Sequence, residues 1–170
     1  MGQRVKPLPP RPISADDNVA GFASGDHDID TWFVSLAFRS QRVGDARTYV
    51  SIDADTGGIA GFYSLAAWAI SRPTIRGWLA RNAPLLVPVI LICRLATSLD
   101  ARGIGLGRSL LVDAKRKAEL SAQTVGARAL VAEASNDNAG AFYTHNGFTL
   151  VPETTNLYAF SLRMPPTTPH

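Results

Sequence analysis

The residues best suited to chemistry lie between Cys93 and Ser109, in the run CRLATSLDARGIGLGRS. Gly103, Gly105 and Gly107 alternate with Ile104 and Leu106, and Arg102 and Arg108 bracket them. An apolar run precedes this stretch and a helical pattern follows it. Glycines allow neighbouring backbone N–H groups to turn toward one point, and a helix N-terminus adds partial positive charge. The pattern therefore suits an anion such as a pyrophosphate. Two common phosphate loops do not fit. G-x-x-x-x-G-K-[ST] ending at Gly107 needs glycine where Arg102 stands, and Arg108 replaces its lysine. G-x-G-x-x-G fails in both registers, at Arg108 and at Leu110. Two readings stay open, an anion-binding turn and a plain strand-to-helix connection that needs positive φ. The flanking arginines favour the first, because a connection alone needs no charge.

The rest of the chain must position that loop. With 170 residues, 46% of them hydrophobic, the sequence has the content of one globular domain. The expected division is a flexible or extended N-terminal arm over 1–15, which carries four prolines, a single domain over 16–164, and a short tail over 165–170. The longest apolar run, Leu85 to Cys93, is about half the length a membrane-spanning helix requires. No secretory signal is evident, so a soluble, cytoplasmic protein is expected with no membrane partner. Cys93 is the only cysteine, which excludes an intrachain disulfide and a multi-cysteine metal site; it reads as a buried strand residue.

Ile29, Trp32, Phe33, Leu36 and Ala37 recur at helical spacing, predicting a helix from Asp28. ARTYVSID and GIAGFYSLAAWAI around the turn-rich ADTG predict a hairpin. Residues 71–87 read as an irregular or partly helical excursion, and VPVILICRLAT as a strand buried on both faces. A helix from Leu106 to about Leu120, a strand over ARALVAEA, and a short helix in NDNAGAFYTHNGF follow. That last helix starts at Asn136 or Asn138 and stops at Asn146-Gly147. Tyr158, Phe160, Leu162 and Met164 alternate as a final strand. The strand–helix–strand order favours a right-handed crossover with parallel or nearly parallel strands.

Net charge is only +3, but no acidic residue falls between Asp55 and Asp100, where Arg72, Arg76, Arg81 and Arg94 lie. Arg39, Arg42 and Arg47 precede this tract and Lys115, Arg116 and Lys117 follow it, and together these residues form a candidate phosphate-facing surface.

Two motifs carry a resemblance. RGIGLG, Arg102 to Gly107, resembles the [QR]-x-x-G-x-[GA] pyrophosphate loop of the GNAT family of N-acetyltransferases. NDNAGAFYTHNGF resembles that family's N-x-x-A-x-x-[FL]-Y-x-x-x-G-F element through Asn136, Ala139, Phe142, Tyr143, Gly147 and Phe148. The resemblance implies an α/β (α+β) fold: a mixed, mostly antiparallel sheet flanked by helices, with an acyl-CoA cleft between two splayed parallel central strands. It implies acetyl-CoA as co-substrate and no metal. The pantetheine arm would lie along Leu95, Ala96 and Thr97, and the phosphates would meet Arg102, Gly103, Ile104, Gly105, Leu106, Gly107, Arg108, Ser109 and Asn136. Tyr143 would be the acid for the departing thiolate.

Over residues 20–162 the chain is further similar to the acetyltransferase toxins of type II toxin–antitoxin systems, which acetylate the α-amino group of aminoacyl-tRNA and block translation. That similarity implies aminoacyl-tRNA as acceptor, gripped by Arg72, Arg76, Arg81, Arg39 and Arg42. It also implies a ribbon-helix-helix antitoxin, DNA contact only through the antitoxin complex, and a homodimer. Two positions depart from the pattern. Arg102 stands where glutamine is common, and LIC precedes Arg94 where glycine often sits.

Acetyl transfer to an amine needs a neutral amine, an oriented thioester, oxyanion stabilisation and a proton for the thiolate. A phenol of pKa about 10 is protonated at neutral pH and can give that proton. An α-amine of pKa about 7.7–8.0 is already substantially neutral and needs little help from a base. Glu133 can activate a water but reads better as a surface carboxylate. His27 reads as a cap or lead-in to the first helix, and His145 as solvent-facing. Phe142 is expected in the core, with its neighbour Tyr143 freed for the pocket; Tyr63, Trp68 and Trp32 are expected in the core. The alternatives are an acetyltransferase for a small-molecule or protein amine, and a non-catalytic partner of a transcriptional regulator.

Overall fold

The computed structural model describes residues 4–163. Seven strands form, β1 (Arg11–Pro12), β2 (Arg47–Ile52), β3 (Ile59–Ser71), β4 (Leu86–Thr97), β5 (Ala129–Glu133), β6 (Thr149–Leu150) and β7 (Leu157–Ser161). Among the described residues three α-helices accompany them, α1 (His27–Val43), α2 (Leu106–Thr124) and α3 (Asp137–His145). The strands join in the order β1-β2-β3-β4-β5-β7-β6. β2 is antiparallel to β1 and β3, and β7 is antiparallel to β5 and β6. No helix among the described residues is long and apolar enough to cross a membrane.

Two compact units are distinguishable. One comprises the residues up to Ala66 with Ile92–Lys115, and the other Ala67–Leu91 with the residues from Arg116 onward. In the first, α1 begins where the Asp26 carboxylate accepts from the N–H groups of Asp28 and Ile29. Asp28 and Asp30 favour its positive end, and Gly44, at φ 86°, closes it. His27 is thus the first helical residue, and the cap is Asp26. The helix buries Phe33 and Ala37 against Phe22, Val50 and Phe62, with the Phe33 and Phe62 rings stacked 4.1 Å apart. Residues 8–13 run along β2. Leu8 N–H donates to Ile52 O and Ile13 N–H to Thr48 O, both within 2.9 Å.

α2 packs Leu106, Leu110 and Ala114 on Ala60 and Tyr63 of β3. Tyr63 is fully buried, and its hydroxyl donates to the Asp113 carboxylate on α2. Burial and the adjacent carboxylate raise the phenol's pKa far above its ordinary value. Tyr63→Phe removes a donor from Asp113 and is expected to cost about 1–3 kcal/mol of stability. A lowered denaturant midpoint with an unchanged m-value is the measurement that checks it.

In the second unit Ile75, Leu79 and Ala83 of the excursion pack with Val87, Val89, Val131, Leu157 and Ala159. Several expectations change here. β4 is not buried on both faces, since Leu86 and Pro88 are exposed while Val87 and Val89 are covered. The buried side of β7 carries Leu157 and Ala159, whereas Tyr158 and Phe160 are half-buried on the other side; Met164 lies outside the described residues. Trp68 is exposed, and Trp32 and Cys93 are half-buried.

Candidate active site

The turn after β4 is anchored by alternation. Ala101, Ile104 and Leu106 pack toward Ala60, Tyr63 and Leu110, while Gly103 and Gly105 face outward at φ 77° and 80°. At those angles a side chain costs about 1–2 kcal/mol, so glycine is the fitting residue. A Cβ at either position would meet nothing within 4 Å. Among the described residues, the N–H groups of Gly105, Leu106, Gly107 and Arg108 make no hydrogen bond. Four free donors in sequence stand at the positive end of a 19-residue helix, an arrangement whose partial positive charge suits an anion. A cavity of about 660 Å³ opens on the leading side of this turn. Its lining includes Asp53 and Asp100, whose charge disfavours a polyphosphate there.

The side chains around the turn divide their duties. The Arg102 guanidinium donates to Ser24 O at 2.8 Å, and Leu99 N–H donates to Ala23 O at 2.9 Å. Both bonds fasten the turn to the segment leading into α1. Ser24 in turn donates its hydroxyl to Asp30 at 2.6 Å. Ser109 Oγ donates to Gly105 O at 3.2 Å, closing the first turn of α2. Arg108 is exposed. Leu95, Ala96 and Thr97 end β4; Leu95 and Thr97 are half-buried and Ala96 is buried.

The second motif builds α3. Asn136 caps it by accepting from Ala139 N–H at 2.8 Å. At its end Asn146 Nδ2 donates to Phe142 O at 2.8 Å, and Gly147 follows at φ 91°. Tyr143 is buried at 8% exposure and Phe142 is half-buried, the reverse of the expected division. The cause is the ring cluster under α3, where Phe148 and Tyr158 lie 5.3 and 6.2 Å from the Tyr143 ring. Gly140 leaves room for Tyr158, whose ring atom Cζ would lie 3.0 Å from a Cβ there. Among the described residues the Tyr143 hydroxyl has no hydrogen-bond partner, yet it is not sealed from solvent. Burial pushes its pKa up to about 12, so it remains a proton donor throughout the neutral range.

The other titratable candidates are placed less suggestively. Glu133 is exposed at the end of β5, and His145 is exposed at the end of α3. Burial raises the Cys93 thiol, which makes it a poor nucleophile. Among the described residues no three His, Cys, Asp or Glu side chains cluster as a metal site.

The arginines fall in two sets. In the first unit Arg39 and Arg42 are exposed on α1, and Arg47 donates to Gln41 O at 2.6 Å. In the second, Arg72 donates to Ala83 O at 2.7 Å and Arg76 to the carbonyls of Pro73 and Ile75, whereas Arg81 is exposed. Sequence reasoning missed Arg128 and Arg163. Arg128 donates to the carbonyls of Arg81 and Asn82, both at 2.9 Å, and Arg163 donates to Trp78 O while lying over the Trp78 ring. They brace the excursion, and no local spacing signals that role. Tyr63 and Asp113 were legible in principle, since an aspartate on the apolar face of α2 calls for a buried partner.

The turn with free N–H groups at the start of α2 and the buried Tyr143 on α3 are the two elements through which the chain resembles the N-acetyltransferases. Residues 44–150 match the acetyltransferase (GNAT) domain family, and the chain belongs to it. The chain is 37% identical over 143 residues to the tRNA-acetylating toxin of Mycobacterium tuberculosis (strain ATCC 25618 / H37Rv), covering 84% of this chain and 85% of that one. Its fold resembles that of AtaT complexed with acetyl-methionyl-tRNAfMet, at TM-score 0.79 and 23% identity over 87% of this chain and 89% of the other. It also resembles a mutant AtaT toxin bound to the C-terminus of the antitoxin AtaR and acetyl-CoA, at TM-score 0.74 and 23% identity over 90% and 92%.

Proposed function

We propose that this N-acetyltransferase is a toxin that moves the acetyl group of acetyl-CoA to the α-amino group of an aminoacyl-tRNA and so blocks translation. The observation that carries the reading is the 102–108 turn, whose free N–H groups stand at the start of α2, in a chain so close to a tRNA-acetylating toxin. The acetyltransferase domain is taken as residues 16–164.

The residues present suit acetyl-CoA. The N–H groups from Gly105 to Arg108 would hold its diphosphate, with the Arg108 charge added at the rim. Arg102 would act chiefly by fastening the turn, and Asn136 by starting α3. The end of β4, Leu95 to Thr97, would pair with the pantetheine amides as an added strand does. Bound there, acetyl-CoA supplies the activated acetyl group. The acceptor amine attacks the thioester carbonyl, the C–N bond forms and the C–S bond breaks. Tyr143 Oη gives its proton to the thiolate, and the amine's surplus proton passes through water to restore the phenol. The product is an amide and free coenzyme A. No strong base is required, because the α-amine is largely neutral near pH 8.

The acceptor's phosphates would meet the exposed guanidiniums of Arg39, Arg42 and Arg81, with Arg72 and Arg76 shaping the excursion that carries Arg81. Arg81→Glu is expected to weaken binding of charged tRNA at least about tenfold, since it replaces an attraction by a repulsion, and to lower the slope of log K against log[salt] by about 0.7–0.9. Acetyl-CoA affinity should not change. Filter binding over a salt series checks this. The partners that fit are a ribbon-helix-helix antitoxin, which would carry the DNA contact, and a second copy in a homodimer; the place of action would be the cytoplasm, where charged tRNA is used. Incubating the protein with labelled acetyl-CoA and a total charged tRNA pool tests the whole reading. Label recovered on the aminoacyl end supports it, and label found only on free amines or proteins overturns it.

A further inference from the structure

We propose that Arg94 binds a phosphodiester of the acceptor beside its aminoacylated end, with Trp32 holding the guanidinium in place. This rests on the reading of the acceptor as a charged tRNA.

Arg94 lies on β4 immediately before Leu95 and is half-buried. Its guanidinium carbon stands 5.1 Å from the centre of the Trp32 ring, and that ring is itself stacked on Phe62 at 6.4 Å. An arginine fixed over an aromatic plate loses little further freedom on gripping a ligand with its edge. Of its donors only Nη1 has a partner, the adjacent Cys93 carbonyl at 2.8 Å. Among the described residues no carboxylate pairs with it. A guanidinium offers five donors in a planar fork matched to a phosphate. A partly desolvated, uncompensated cation of this kind is completed by an external anion.

The face of the strand says from which side that anion arrives. Arg94 alternates with Leu95, which packs on the α2 cluster, and shares its side with Ala96, which packs in the α1 cluster. The guanidinium is therefore on the α1 face. Arg39 is exposed on the same helix seven residues beyond Trp32, two turns along the same side. Arg94, Trp32 and Arg39 thus form a short line of cation, ring and cation along one face. In an aminoacyl-tRNA the amino acid's own carboxyl is esterified and carries no charge. The nearest anion to the reacting amine is the phosphodiester of the terminal nucleotide, which is the group proposed for Arg94.

The test compares two acceptors, charged tRNA and an amino acid methyl ester that lacks phosphate, with acetyl-CoA binding followed by calorimetry as the check on folding. Arg94→Ala is expected to raise KM for charged tRNA about ten- to a hundredfold, leaving the methyl ester rate and the acetyl-CoA affinity unchanged. Arg94→Lys should recover part of the loss, since it keeps the charge without the fork. Trp32→Leu should give a smaller rise in the same parameter. An equal loss on both acceptors, or a weakened acetyl-CoA affinity, overturns the proposal while leaving the functional reading intact. If the unaltered protein acetylates the methyl ester but no charged tRNA, the functional reading falls and the role of Arg94 falls with it.

Discussion

Tyr143→Phe is expected to lower kcat about 10²–10⁴-fold, the range associated with a positioned general acid, without altering the affinity for acetyl-CoA. The phenyl ring keeps the contacts with Phe142, Phe148 and Tyr158 that set its place, so the loss reports the proton and not the packing. The pH dependence gives a second readout. Burial pushes the Tyr143 phenol up to about 12, so the acid stays loaded far above neutrality. The rate should climb as the acceptor amine loses its proton near about 7.7–8.0 and then hold level. A falling limb well below pH 12 would assign the acid to another group. The same shift has a consequence for stability. Because folding raises this pKa, the neutral phenol favours the folded state fully below about pH 10, and that contribution fades as pH rises toward 12. Turnover that survives intact in Tyr143→Phe would remove this residue from the chemistry altogether.

The second large effect is expected at the turn. Gly103→Ala with Gly105→Ala places side chains at φ 77° and 80°, at a cost of about 1–2 kcal/mol each in that region. Open space surrounds both positions, so the strain is relieved by turning the peptide planes and not by pushing a neighbour. Rotation at Gly105 withdraws an N–H from the set that would face the anion. A hydrogen bond to a charged group is worth about 1.5–3 kcal/mol, so one lost donor should raise the acetyl-CoA Kd about ten- to a hundredfold. Calorimetry with acetyl-CoA and with a short acetyl-thioester lacking the diphosphate separates the causes. The large compound should lose affinity and the short one should not. If neither changes, the turn is only a connection between β4 and α2.

Much of this protein is written locally. The spacing of Ile29, Trp32, Phe33 and Ala37 gives α1, and the Asn136 cap with Asn146-Gly147 gives α3, because a helix is fixed by residues three and four apart and by its own ends. The glycine alternation gives the turn, since positive φ is a property of single residues. Tyr143 stands out through the resemblance of NDNAGAFYTHNGF to a GNAT element, whereas local spacing marks only the start and stop of its helix. What spacing cannot supply is partnership across the chain. Tyr63 finds Asp113 fifty residues away, Arg102 finds Ser24, and Arg128 and Arg163 find the carbonyls of the excursion. Burial is decided at the same level. Tyr143 and Phe142 are neighbours with similar rings, and only the positions of Phe148 and Tyr158 determine which of the two is enclosed. The sequence by itself therefore determined most of the elements and the glycine turn, because both are set by neighbours along the chain. Tertiary structure alone decided which arginines brace the fold and which stay free, because a guanidinium's charge is local whereas its partners are brought to it by packing.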